Sequence, residues 1–400
     1  MKEAKQGGLP ILCSKDKTVI INNVNIVLPD REITSGSLVI KEQYISEIND
    51  NPVISSLDES IDGSGLTAVP GLIDLHIHGA NGISITDDDP DSLKKVSQAL
   101  TQFGITGFLW TTMAVSIEEM DKVMTQMADF KNENGSSCYG INIEGSFISP
   151  SRAGSHLVKH IFEPKVETVE RWLKMSNDKI KIITIAPEKT SEEFIRYLVS
   201  KNITPSVGHS HANYEQTLNA LSYGASYFTH LGNATGMIHQ REPGIVGAAL
   251  LDDKSVIEVI CDGVHLHSAI VQIFIKVKGW DKVIIVSDGT CVMGMPPGVY
   301  KWYDSYATFD GESLKLENET IAGGVLPLNK ALKNLLKFTN CTLSAAVRMT
   351  SLKPARILGI DNLYGSLTPG KVASIALIDK DFNVAHTFVD GKLVYSAHLA

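Results

Sequence analysis

Six residues able to bind a metal ion or move a proton close short apolar runs along this chain: His76, His78, Glu144, His209, His230 and Asp288. In Asp74-Leu75-His76-Ile77-His78 the histidines are two apart, so on a strand both imidazoles project to one side. Imidazole is a common zinc ligand when its second nitrogen has an acceptor, and Asp74 is a candidate for that role. Glu144, in Asn142-Ile143-Glu144-Gly145, offers hard oxygens as a ligand or as a bridge between two ions. His209 and His230 end the runs Val207-Gly208-His209 and Phe228-Thr229-His230 in the same way. Asp288, in Val286-Ser287-Asp288-Gly289, is a carboxylate that could take a proton from an activated water and deliver it to a leaving amine. Each residue alone has a plainer explanation, such as a strand-end ion pair, a helix cap or a buried structural histidine. Their recurrence at successive strand ends argues for one shared centre.

The elements that must position them alternate. Strand-like runs occur at Ala68–Leu75, Gly104–Thr112, Tyr139–Ile143, Ile180–Ala186, Thr204–Val207, Tyr227–Thr229, Val256–Ile260 and Val283–Val286. Helical patterns lie between most of them. The clearest is Ser116–Asn132, with Ser116 and Glu119 spaced as a capping box, and Thr190–Lys201 opens similarly with Thr190 and Glu193. This layout predicts a (β/α)8 TIM-type barrel, whose strand C-termini form the active face. Both ends of the chain are instead β-rich: Thr18–Leu28, Ser37–Ile40 and Tyr44–Ile48, then Ser374–Ile378 and Val384–Val389 followed by the hairpin dipeptide Asp390-Gly391. We therefore expect a small β-sandwich-like domain from residues 17–67 and 363–400, a catalytic barrel over 68–362, and a lead-in over 1–16.

Composition narrows the partners. The net charge of −9 argues against nucleic acid or an anionic membrane as the main partner, while leaving room for one local cation to hold a phosphate. The N-terminus lacks a signal-peptide pattern, and there is no apolar run long enough to span a bilayer, so a cytoplasmic location is expected. The five cysteines are odd in number and scattered, which disfavours a disulfide framework or a Cys-rich zinc site.

Narrower motifs accompany these residues: Glu144-Gly145-Ser146-Phe147-Ile148-Ser149-Pro150 with Gly154-Ser155-His156, Thr184-Ile185-Ala186-Pro187-Glu188, Thr229-His230-Leu231-Gly232-Asn233-Ala234, Arg241-Glu242-Pro243-Gly244 and Asp262-Gly263-Val264-His265. With them the chain, from about Thr18 onward, resembles the amidohydrolase superfamily and, within it, the N-acetylglucosamine-6-phosphate deacetylases. The resemblance implies metal-dependent hydrolysis of the acetamide of a small sugar phosphate. It makes Glu144, His209 and His230 ligands of the principal divalent metal, with His76 and His78 holding a second ion, and Asp288 the acid/base. Zinc is the expected metal, with iron, manganese, cobalt or nickel able to replace it, and one or two ions per subunit. It puts Asn233, Ala234 and Arg241 at the phosphate, with Arg241 reaching into the partner's site of a homodimer. Ser155, His156, His265, Ile321, Ala322 and Gly323 would line the sugar and amide.

Ser146, Thr235, Gly289, Gly324 and Lys353 depart from the family pattern, which has Pro, Met, Ala, Ser and Asn there. None removes a ligand or the acid/base, but several adjoin the substrate positions. N-acetylgalactosamine 6-phosphate therefore competes as the substrate. Two further readings stand beside these: a two-metal amidohydrolase using a carboxylated Lys189, and a non-catalytic binding relative.

Overall fold

The computed structural model describes residues 18–53, 59–84, 86–87 and 89–397, so the expected lead-in over 1–16 lies outside the described residues. An eight-stranded parallel sheet forms the centre, with strands one to eight at Leu72–Ile77, Ile105–Thr111, Ser137–Phe147, Ile180–Ile185, Thr204–Val207, Tyr227–Phe228, Val256–Ile260 and Val283–Val286, each paired with the next. The sheet closes on itself just past strand eight. Ile77 bridges Gly289 in parallel register, and the Gly289 carbonyl accepts from His78 N at 2.7 Å. The result is a TIM-type (β/α)8 barrel with helices on its outer face.

Local chemistry explains the outer helices. Ile117–Asp129 starts at Ser116 in a complete capping box with Glu119 and buries Met120, Val123, Met124 and Met127 against the barrel. Glu192–Ser200 starts one residue later than the spacing suggested. Ser191 accepts from Phe194 N, whereas the Thr190 hydroxyl donates to the Ala186 carbonyl and extends the preceding turn.

Both termini contribute to a second eight-stranded sheet, ordered 392–396, 384–389, 375–378, 67–70, 18–27, 32–41 and 44–49, with 59–62 paired to 18–27. It curls until Tyr44 bridges Val372. Alternation along one strand shows why it is folded onto the barrel: Ile375 and Leu377 pack inside the curl, while Ala376 and Ile378 join the barrel core. The run Ala68–Leu75 is therefore two strands. Thr67–Pro70 pairs with Ile375–Ile378 of the small sheet, and the barrel strand begins at Leu72. Gly71 stands at the switch because a Cβ there would meet the Thr106 side chain at 2.1 Å.

A three-stranded antiparallel sheet, Gly298–Trp302, Ser305–Phe309 and Leu314–Leu316, is inserted after strand eight and was not foreseen from sequence. Among the described residues, no helix is long and apolar enough to cross a membrane.

Candidate metal centre

The strand-end residues converge at the C-terminal mouth of the barrel. Two overlapping groups could hold a metal ion: Glu144, His209 and His230, and His76, His78, Glu144 and Asp288. Glu144 lies between them. Its Oε1 is 2.9 Å from His230 Nε2 and 3.3 Å from His209 Nε2, and its Oε2 is 3.2 Å from His76 Nε2 and 3.4 Å from His78 Nε2. Asp288 Oδ1 faces the same two histidines at 3.4 and 3.2 Å.

Reaching this geometry strains the backbone. His209, His230 and Asp288 each adopt positive φ, at 43°, 25° and 51°, immediately after their strands. Such conformations cost a non-glycine residue roughly 1–3 kcal/mol and persist where the surroundings over-determine them. Here the left-handed turn at the strand end is what swings each side chain over the barrel axis.

The donor set fits a divalent cation. His78 Nδ1 donates to the Thr111 carbonyl at 3.1 Å, and His209 Nδ1 to the Arg152 carbonyl at 2.8 Å. His76 Nδ1 meets Glu258 Oε2 at 3.0 Å. A neutral imidazole so fixed has its bare lone pair on Nε2. For His76, His78 and His209 those Nε2 lone pairs point at the Glu144 carboxylate, and buried His76 Nε2 has no hydrogen-bond partner; His230, whose Nδ1 is unpartnered, sets its Nε2 2.9 Å from Glu144 Oε1 and 3.2 Å from His209 Nε2. Acceptors facing acceptors in a buried pocket require positive charge between them. Without an ion, protons must supply it. Burial alone would lower the His78 pKa, yet its bonds to Asp288 and Glu144 push it up to about 9. Burial is likewise overridden at His76, held well above its ordinary value by Glu144 and Glu258, and at Glu144, held low by His76 and His209.

His156 differs from these four histidines. Its Nδ1 accepts from Ala114 N at 3.3 Å, so its proton sits on Nε2, which faces Glu144 Oε2 at 3.3 Å. Burial pushes its pKa down to about 4, making it a neutral donor aimed into the site. His265 is held by Asp262 at 2.6 Å, which raises its pKa against the effect of burial, and its Nε2 is 3.9 Å from Asp288 Oδ2.

A cavity of about 420 Å³ opens over the centre and is bordered by Ser155, His156, Asn233, Ala234, His265 and the stretch Ile321, Ala322 and Gly323. All the expected sugar-lining positions are thus together. Arg241 is not among them. It is exposed in a tight turn, its N donating to His239 Nδ1 at 3.3 Å, and its guanidinium makes no bond with the described residues. Asp74 is also elsewhere than expected. Its Oδ1 accepts from His76 N at 3.2 Å and Ser287 N at 3.3 Å, stapling strand one to strand eight beneath the site. The acceptor for the His76 ring is Glu258, which also accepts from His230 N at 3.0 Å. Sequence reading missed Glu258, although a charged residue inside Val256-Ile257-Glu258-Val259-Ile260 is a signal in itself. Lys189 Nζ pairs with Glu163 at 3.1 Å and lies outside the cavity, so its position gives no support to a carboxylated lysine in the centre.

Comparison with known proteins identifies the family and the fold. The amidohydrolase family profile matches residues 67–394. The chain belongs to the amidohydrolase family. It is similar to N-acetylglucosamine-6-phosphate deacetylase of Bacillus subtilis, at 32% identity over 95% of this chain and 98% of that protein. It is also similar to N-acetylgalactosamine-6-phosphate deacetylase of Escherichia coli O157:H7, at 30% identity over 81% of this chain and 86% of that one. The crystal structure of N-acetylglucosamine-6-phosphate deacetylase from Thermotoga maritima superposes with a TM-score of 0.84 at 31% identity, covering 94% of this chain and all of that one. Within this amidohydrolase, the family departures are local. Ser146 and Thr235 bury hydroxyls without partners, and Lys353 pairs with Asp281 at 2.6 Å. At Gly324 a Cβ would meet the Ser287 carbonyl at 1.9 Å, because Gly324 bridges Gly289 directly beside Asp288.

Proposed function

We propose that the protein hydrolyses the acetamide of N-acetylglucosamine 6-phosphate, releasing acetate and glucosamine 6-phosphate. The observation that carries this reading is the convergence of Glu144, His209, His230, His76, His78 and Asp288 under one cavity, in a chain resembling such deacetylases over nearly its full length. One or two divalent ions, zinc first among them, would be held by the two donor groups and would supply Lewis acidity toward water and the amide carbonyl.

The chain's own residues supply the rest. The Asp288 carboxylate is burdened by burial, but its bond to His78 and the positive charge that the centre carries hold it below the usual carboxylate range, so it starts as a base. It takes a proton from the attacking water. The water oxygen bonds the carbonyl carbon while the His156 Nε2–H donates to the oxygen that gains charge. Asp288 then returns the proton to the departing nitrogen as the C–N bond breaks. His265, oriented by Asp262, bonds the sugar. Asn233 and Ala234 face the phosphate side, and Arg241 of a second copy in a homodimer completes the phosphate site, which accounts for its exposure in one chain.

The galacto epimer is the second reading, favoured by the relative named for it at nearly equal identity. Acetate release from both epimers, with and without chelator, tests both. Chelator-sensitive turnover faster on the gluco sugar supports the proposal, faster turnover on the galacto sugar moves it to the epimer, and no turnover of either sinks it.

A further inference from the structure

The metal centre opens on two cavities. The one over Asn233 and His265 shares His78 and Met113 with a second, of about 530 Å³, which opens to solvent between the inserted three-stranded sheet and the loops after the first strands. That volume is in the range of small-ligand pockets. Its lining is mixed: Val115, Leu157 and Trp302, with Tyr303, whose buried hydroxyl has no partner, stand beside Asp87, Glu119, Lys159, His160, Lys301 and Asp304. Of these, Lys159 and Asp304 are exposed and pair at 3.2 Å.

We propose that this second cavity is an acyl subsite and that the enzyme hydrolyses amino-sugar amides carrying straight acyl chains longer than acetyl, from propionyl to hexanoyl. The inference rests on the reading that the sugar occupies the cavity over Asn233. A secondary amide is planar and trans, so its nitrogen substituent and its acyl chain leave the carbonyl in opposite directions. With the sugar on one side of the centre, the chain is directed past His78 and Met113 into the other cavity. Acetyl ends at its methyl and leaves that space to water. The reaction is unchanged by chain length: the water oxygen joins the carbonyl carbon, the C–N bond breaks, and the nitrogen takes the proton from Asp288. Each added methylene is buried against Leu157 and Trp302, worth roughly two- to fourfold in kcat/KM.

The test is amine release by metal-loaded protein from glucosamine 6-phosphate acylated with acetyl, propionyl, butanoyl or hexanoyl groups. Propionyl and butanoyl substrates turning over at or above the acetyl kcat/KM support the subsite. Acetyl turnover with a fall of roughly tenfold or more at butanoyl, the discrimination a closed hydrophobic pocket achieves, overturns it and leaves the deacetylase reading intact. No turnover at any length overturns both. Leu157→Trp, which narrows the second cavity beside His78 and Met113, is expected to depress butanoyl turnover and spare acetyl. An equal loss on both would mean that the sugar itself lies there, and the subsite assignment fails.

Discussion

The two donor groups share Glu144 yet are built by different means. His209 and His230 sit on left-handed turns past strands five and six, and the His209 ring is oriented by a loop carbonyl, Arg152 O. His76 lies within strand one, and a fully buried carboxylate, Glu258, meets its second nitrogen. One half is thus a strained pair around a single carboxylate, with the His209 ring held by a loop and His230 Nδ1 unpartnered. The other is a wall-embedded pair between Glu144 and Asp288 with a third negative charge behind it. The difference teaches that the His76 side concentrates anionic charge, whereas the His209 side concentrates conformational strain. A cation bound at each would be held for different reasons.

Asp288 touches only the His76 side, and replacing it separates proton transfer from metal holding. Asp288→Asn should lower kcat by roughly a hundred- to ten-thousandfold with metal content retained, read by steady-state assay alongside elemental analysis. Activity near wild type would remove Asp288 from the mechanism. Removing one histidine from each half sharpens the contrast. His209→Ala should cost roughly a thousandfold, since Lewis-acid stabilisation is worth several kcal/mol, and His76→Ala markedly less. Equal losses would mean that the halves act as one unit.

Glu258→Gln removes the charge behind His76 while preserving shape. Metal affinity on that side should fall roughly ten- to a hundredfold, measured by chelator competition, with the affinity on the His209 side retained. A uniform loss would show that Glu258 serves both halves through its bond to His230 N. Arg241→Ala should raise KM by roughly tenfold with little change in kcat, the signature of lost phosphate binding, and a mixed dimer with a ligand-deficient subunit would show which chain's site it serves. Smallest in scale, chelation should lower the melting temperature by a few degrees, reversed on adding zinc, because acceptors then face acceptors without an ion.

Much of the barrel and of the centre was legible in the sequence, for a physical reason. Five of the eight apolar runs led into a residue out of keeping with a core, and a parallel barrel gathers its strand ends at one mouth. What escaped was whatever depended on registration between strands. Asp74 looks like the partner of His76 in sequence because the two lie on one face. Two residues along a strand, however, is one layer down the barrel, where its carboxylate meets main-chain N–H groups instead. Glu258 reaches His76 from 182 positions away, a pairing that strand order alone creates. The walls of the second cavity come from an inserted sheet whose Tyr300, Trp302 and Tyr303 carry no ligand chemistry to draw notice.

The strand Thr67–Pro70 leads into the strand that carries His76, and its second neighbour in the small sheet, beside Thr18–Val27, is Ile375–Ile378. On the ribosome those partners are separated by the synthesis of the whole barrel. Thr67–Pro70 therefore waits with that edge bare while every other ligand-bearing segment emerges, and the small sheet is sealed only afterwards. A nascent chain released before residue 375 would carry all six metal-centre residues and still leave the strand that feeds His76 paired on one edge only. Synthesis of residues 375–378 is thereby needed to close the small sheet behind the first histidine strand.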